Sequence, residues 1–408
     1  MKTTARAIAR TTARTTLTTA IAAALLAGVA APAALAADAS TSKGDHAAVQ
    51  AVLDRAVTEA GLPGARVEVR DGDSVWFGTA GAADLRTGRA MKPQDRFRIG
   101  STTKTFVSTV VLQLAAEQKL SLDDSVEHWL PGLLDDHGYD GSKITIRQLL
   151  NHTSGVYNYA QSPKLGADFV GTPFLQHRFD DFTPRQLVEA AVVYGPVFAP
   201  GTGFAYSDTN YALAGMIVEQ ATGRSLSQEL TERVIEPLHL RNTYEPARND
   251  MRIHGPHGRH YSQLMEKDVD TAPVYDVTDL NPSWGYASGD MISTSGDLNT
   301  FFRALLQGRL LPQAQQNEMF TLVDPQGHWI DGSEYGLGVS SQKLACGATV
   351  WGMGGAIDGS WSYTFGSRDG RHMLSTEVNG DWAKGPLGSP IGVFTAELNA
   401  EFCPAATS

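Results

Sequence analysis

Gly100-Ser101-Thr102-Thr103-Lys104 follows Phe97-Arg98-Ile99 and runs without a break into the apolar segment Phe106 to Ala116. That continuity places Ser101 at the start of a helix the protein buries. Three residues make just under one helical turn, so the Ser101 hydroxyl and the Lys104 amine stack on one face. An alcohol is a weak nucleophile at its own pKa and needs a base beside it. A lysine whose pKa has been lowered by burial can be that base. The helix start adds free backbone N–H groups and a positive dipole end, which favour the anion formed when a carbonyl is attacked. The pair therefore reads as the Ser-Lys variant of nucleophilic catalysis. Ser-x-x-Lys also arises by chance, with the serine as a helix cap and the lysine in solvent, so its surroundings have to decide.

Downstream, Pro200-Gly201-Thr202-Gly203-Phe204-Ala205-Tyr206-Ser207-Asp208-Thr209-Asn210-Tyr211 reads as a loop marked by two glycines, leading into a helix from Tyr211 to Gln220. A phenol held at a loop tip beside an ammonium can shuttle a proton, which makes Tyr206 a candidate. Asp208 can accept from Lys104 or from a substrate amide. The competing reading is an ordinary loop in which Tyr206 packs and Asp208 makes an Asx turn.

The two ends of the chain read as one sheet. From Asp45 to Ala60 apolar residues recur at helical spacing, and Gly61 and Pro63 stop that helix. Val67 and Val69 alternate, Asp71-Gly72 turns, and Val75-Trp76-Phe77 follows as the second arm of a hairpin. Near the other end, Thr349 to Trp351, Trp361 to Phe365 and Met373 to Val378 read as strands, with a turn at Asp369-Gly370 and a last helix from Ile391 to Phe402. The fold class expected is α/β (α+β): an antiparallel sheet flanked by N- and C-terminal helices and interrupted by a mostly helical domain. The boundaries are 37–100 and 286–408 for the sheet domain and 101–285 for the helical insert.

Residues 1–36 read as an export signal. Lys2, Arg6, Arg10 and Arg14 precede the apolar run Ile21 to Val29, and Ala34-Leu35-Ala36 has the small-x-small pattern of a cleavage site. The run is too short for a retained membrane helix, and no cysteine near the cut offers a lipid anchor. Cleavage leaves 372 of 408 residues and takes the formal net charge from -11 to -15. Such acidity, without a basic cluster, excludes nucleic acid and anionic lipid as expected partners. Cys346 and Cys403 are the only cysteines, and in an oxidising compartment an even pair suggests a disulfide.

Taken together, the Ser101 and Tyr206 stretches resemble the serine β-lactamase and D-alanyl-D-alanine carboxypeptidase superfamily. Leu149 to Gly155, Gly285 to Leu298 and Tyr335-Gly336-Leu337-Gly338 match its pattern too, so the resemblance covers nearly all of the chain after the signal. It implies a β-lactamase/transpeptidase-like fold with Ser101, Lys104 and Tyr206 as catalytic groups. Asp208 stands where the family usually has Asn. In Trp351-Gly352-Met353-Gly354-Gly355-Ala356 the family would carry a His or Lys at Met353 and a Thr at Gly354, the side chains that bind the substrate carboxylate; Gly355 fits. Asp208, Met353, Gly354 and Gly355 are the substrate-binding positions this implies. The backbone N–H groups of Ser101 and Ala356 would form the oxyanion hole.

Losing one charge-assisted hydrogen bond costs about 1.5 to 3 kcal/mol, which favours a substrate without a terminal acid. Just upstream, Ser340-Ser341-Gln342-Lys343 offers only Lys343 as a replacement cation. His254, His257 and His260 lie among Gly255, Pro256 and Gly258 in a loop, where three-residue steps do not align metal ligands, so no metal or other cofactor is expected. His152 reads as part of a structural turn rather than a base. Trp284, Trp351 and Trp361 are candidates for a cleft or for the core. The chain is thus expected to be a secreted, monomeric serine hydrolase working through an acyl-enzyme. The resemblance makes a peptide ending in D-alanyl-D-alanine the first expected substrate and β-lactams its slow analogues. An esterase, a D-amino-acid amidase or a β-lactamase on the same fold is the second reading, and a weakly catalytic binder of cell-wall peptides the third.

Overall fold

The computed structural model describes residues 46–266 and 268–403; the segment read as an export signal lies outside them. Helix α1 (Ala47–Thr58) turns Val49, Val52, Leu53 and Ala56 inward, and Gly61 follows it at φ +74, a backbone conformation that favours glycine. Strands β1 (Gly64–Asp71) and β2 (Ser74–Gly81) then form the expected hairpin, with Asp71 opposite Ser74.

The sheet resumes with β3 (Ser333–Tyr335), β4 (Ser340–Lys343), β5 (Thr349–Ile357), β6 (Ser360–Gly366) and β7 (His372–Val378). All seven strands make one antiparallel sheet in the order β2-β1-β7-β6-β5-β4-β3. The N-terminal hairpin therefore docks on the last strand of the chain, Val67 opposite Thr376. The expected short strand from Thr349 continues to Ile357, so the glycine-rich Gly352 to Ala356 is sheet as well.

Both faces of the sheet are covered, which is why β1 is buried over six consecutive residues rather than alternating. On one face lie α1 and the closing helix α5 (Pro390–Phe402), with Leu53, Val67, Leu374, Phe394 and Leu398 in one apolar cluster. The other face meets a larger cluster around α2 (Thr103–Ala116), α3 (Asp208–Thr222) and α4 (Ser295–Leu306). Period-two alternation assigns neighbours to opposite clusters: Met373 belongs to the helical one and Leu374 to the other. Helix α2 is buried on nearly every side, and Phe106 stacks on Phe301 of α4 with ring centroids 3.7 Å apart. Its first turn carries Lys104 and the turn just before it carries Ser101, so the lysine is anchored in this buried core. Cys346, in the β4–β5 turn, is joined by a disulfide to Cys403 at the end of α5. Among the described residues no helix is long and apolar enough to cross a membrane.

Candidate active site

Ser101 sits in a single 3-10 turn, Gly100–Thr102, that leads into α2. The residue capping that turn is Ile99 and the residue capping α2 is Thr102, so Ser101 is the N-cap of neither. Strand β5 passes directly against this turn. A Cβ on Gly100 (φ +48) would lie 2.6 Å from Ala356 N, and one on Gly355 would lie 1.9 Å from Ile99 O and 2.8 Å from Ser101 N. Two glycines thus let main chain meet main chain, bringing Ala356 beside Ser101 as an oxyanion hole made of their N–H groups requires.

Lys104 has no exposed surface. Its Nζ donates to Ser101 Oγ at 3.2 Å, to Asp208 Oδ1 at 2.7 Å and to the Ser288 carbonyl at 2.8 Å, which uses all three ammonium protons. Burial pulls the amine's pKa below its ordinary value, and the Asp208 carboxylate only partly opposes this. Once neutral, the amine keeps two N–H groups for Asp208 and Ser288 and turns its lone pair to the Ser101 proton. Chain order gives no hint of Ser288, which lies 184 residues from Lys104; it falls within the matched run Gly285 to Leu298.

Tyr206 packs its ring 4.7 Å below Lys104 Nζ and stacks on Trp329 with centroids 4.6 Å apart. Its hydroxyl is buried and forms no bond of full hydrogen-bond geometry, although Ser101 is near enough to stabilise the phenolate slightly. Burial first, then the Asp208 charge, drives the phenol's pKa well above its usual value. Tyr206 therefore stays a neutral phenol, suited to pass a proton on rather than to act as a standing base.

Asp208 faces protein on both oxygens. Oδ1 holds Lys104, while Oδ2 accepts from Asn158 Nδ2 at 3.3 Å, and the Asp208 N–H donates to Asn158 Oδ1 at 3.2 Å. The residue expected to bind substrate is engaged in positioning the lysine. Met353 is a second departure, because it has no exposed surface and packs in the helical-side core behind β5. Alternation along the strand explains this: Met353 and Gly355 point back toward α2, and Gly354 points outward. At Gly354 a Cβ would lie 2.2 Å from the ring of Tyr363, its partner across β6, so the aromatic ring fills that space.

The cleft at Ser101 has a volume of ≈170 Å³. Gly354, Gly355, Ala356 and Ser340 line one side, and Tyr206, Trp329, Ile330, Trp361, Tyr363 and Ile391 supply an apolar wall. None of these described lining residues is Lys, Arg or His. Lys343 is exposed and borders outer hollows instead. Roomier depressions exist, one of ≈600 Å³ beside Lys119 and Arg147, but its lining includes no fully buried lysine bonded to a serine hydroxyl. Of the three tryptophans considered from sequence, Trp361 lines the cleft, Trp284 stacks on Phe169 and Trp351 packs against Phe320. Trp329, Tyr363 and Ile391 carried no motif that could have announced them.

His254 pairs with Asp250, His257 bonds the Gly255 carbonyl and His260 is buried. Among the described residues no three His, Cys, Asp or Glu side chains converge as metal ligands.

The fold is that of the serine β-lactamase and penicillin-binding protein superfamily, with Ser101, Lys104 and Tyr206 gathered at the cleft. The comparisons agree, since residues 49–375 match the Beta-lactamase family, and the chain belongs to it. Penicillin-binding protein 4 of Amycolatopsis lactamdurans is 31% identical over 269 residues, 66% of this chain and 66% of its own. Esterase EstB of Burkholderia gladioli is 36% identical over 218 residues, 52% and 53% of the two chains. The chain thus spans about two thirds or less of the length of these curated relatives. Among solved structures, a D-stereospecific amidohydrolase from Streptomyces sp. superposes with a TM-score of 0.80 at 47% identity, covering 89% of this chain and all of that one. The D-amino acid amidase of Ochrobactrum anthropi SV3 superposes with a TM-score of 0.73 at 25% identity, covering 87% and 97%.

Proposed function

We propose that the protein hydrolyses neutral amides or esters of D-configured acyl donors through an acyl-enzyme on Ser101. The observation that carries this reading is the cleft itself, an apolar wall around Ser101 whose described lining residues include no cation to meet a terminal carboxylate. In the proposed mechanism, neutral Lys104 takes the Ser101 proton as Oγ attacks the carbonyl. The Ser101 and Ala356 N–H groups hold the oxyanion, and Tyr206 relays the proton to the leaving amine or alcohol. Water, or an acceptor amine, then releases the acyl group. The D-configuration and the amide or ester bond rest on likeness to the D-stereospecific amidohydrolase, the D-amino acid amidase and EstB. The penicillin-binding relatives favour D-alanyl-D-alanine carboxypeptidase activity as the second reading. A disulfide persists in oxidising compartments, which supports export.

The test is a substrate panel with intact-mass detection of the Ser101 adduct: D-phenylalanine amide, its methyl ester, a peptide ending in D-alanyl-D-alanine, and benzylpenicillin. Amide and ester should turn over at least about tenfold faster than the acid-ended peptide, the value of one missing charge-assisted bond, and Ser101→Ala should abolish both. Preference for the peptide would establish the carboxypeptidase reading instead. Rapid clearance of a penicillin adduct with drug hydrolysis would establish a β-lactamase.

A further inference from the structure

His152 belongs to Asn151-His152-Thr153-Ser154-Gly155, a run that the mechanism above does not use. The residue has no exposed surface, and its backbone lies in the left-handed region at φ +61. Two main-chain donors reach it from the loop that carries Tyr206. The Ala205 N–H donates to the His152 carbonyl at 3.0 Å and the Ser207 N–H donates to Nδ1 at 3.2 Å. Tyr206 is the residue between them, and the imidazole packs on its phenol ring with centroids 4.3 Å apart. Asn210 Nδ2 also reaches Nδ1, at 3.1 Å, while Asn210 Oδ1 accepts from Ser154 Oγ at 2.7 Å.

A main-chain N–H can only donate, so Nδ1 carries the lone pair and the proton of the neutral ring is on Nε2. Nε2 has no hydrogen-bond partner among the described residues, and the rings of Phe204, Tyr206, Tyr211 and Tyr335 box the imidazole in. A second proton would break the Ser207 bond and place a buried charge near Lys104. Burial, and secondly that lysine's charge, hold the ring's pKa well below its usual value. His152 is therefore a fixed acceptor and not a base.

We propose that His152 is a positioning residue for this site: it clamps Ala205 and Ser207 on either side of Tyr206, and so fixes both the phenol and, one residue on, the Asp208 that holds Lys104. The proposal rests on the reading of Ser101, Lys104 and Tyr206 as the catalytic groups. Its force comes from the Tyr206 hydroxyl, which has no firm bond of its own. The phenol is aimed by its backbone and by the rings around it, and small misplacements of a proton-transfer group cost about a hundredfold in rate.

The first arm of the test needs no substrate. In wild-type protein labelled with ¹⁵N at histidine, long-range ¹H–¹⁵N spectra should show His152 as the neutral Nε2–H form without titration from about pH 5 to about pH 8. A Nδ1–H form, or titration near the ordinary value, would overturn the clamp. The second arm compares His152→Asn, which keeps an acceptor and tolerates positive φ, with His152→Phe, which keeps a ring and loses the acceptor. H152F should lower kcat about a hundredfold with KM within about twofold, whereas H152N should stay within about tenfold of wild type. Equal losses in the two, or a wild-type kcat in H152F, would overturn the proposal. Should H152F fail to fold by thermal melting, H152N and the tautomer decide the question. Should the wild type turn over neither amide nor ester, the functional reading falls while the tautomer still judges the clamp.

Discussion

Replacing Asp208 by Asn tests the link between geometry and chemistry most directly, because one exchange of oxygen for nitrogen removes a charge 2.7 Å from the buried Lys104 amine. The gross attraction at that distance is about 6 kcal/mol with an effective dielectric of about 20, but the amide oxygen still accepts a neutral hydrogen bond. The difference between a charge-assisted and a neutral bond is about 1 to 2 kcal/mol, and about 1.4 kcal/mol corresponds to one pH unit. Asp208 raises the lysine's pKa and burial lowers it, so without the carboxylate the amine loses its proton more readily. If neutral Lys104 is the base, the acid limb of the kcat/KM profile should move down by about one pH unit. At pH values below the wild-type limb the variant should be up to about tenfold faster. The new Nδ2 faces Asn158 Nδ2, two donors in contact, so some stability is lost, and the position of the limb rather than the maximal rate is the readout. An ester assay followed across pH in a buffer series of constant ionic strength suffices. A limb that stays in place or moves up would refute the assignment of Lys104 as the ionising base.

Tyr206→Phe should lower kcat about 10²- to 10⁴-fold while penicillin or ester still acylates Ser101 slowly; an unchanged kcat measured under saturation would remove the phenol from the proton path. Reduction of Cys346–Cys403, or the double serine variant, should lower unfolding free energy by about 2 to 4 kcal/mol in denaturant titrations, since the bridge closes 57 residues of chain; no change would mean that the cross-link restrains nothing in the unfolded state. Glu397 is fully buried in α5, and burial pushes its pKa from 4.5 up to about 8. Its folded form thus binds a proton the unfolded chain releases, so stability should decline as pH rises from about 4.5 to about 8 by a few kcal/mol, and Glu397→Gln should flatten that slope in denaturant titrations at the two ends. Phe106→Ala should cost about 3 to 5 kcal/mol through the cavity left against Phe301; a loss under about 1 kcal/mol would mean that the core collapses around the gap.

The sequence determined what depends on near neighbours. Ser101 and Lys104 share a helix face because they are three residues apart, Tyr206 lies at the edge of a glycine-marked loop, and the hairpin and terminal helices follow from apolar periodicity and turn residues. A covalent or one-turn spacing survives whatever the rest of the chain does, which is why these features were legible. The tertiary structure alone decided that the Ser288 carbonyl and Asn158 complete the Lys104–Asp208 pair, that Met353 faces the core, and that Tyr363 covers Gly354. It also decided that Trp329 and Ile391 wall the cleft. These contacts join residues tens to hundreds of positions apart, and which face of a strand each side chain takes is set by sheet register and by the helices packed on either side. Residue identity and spacing put Ser101 and Lys104 together, and packing fixed what surrounds them.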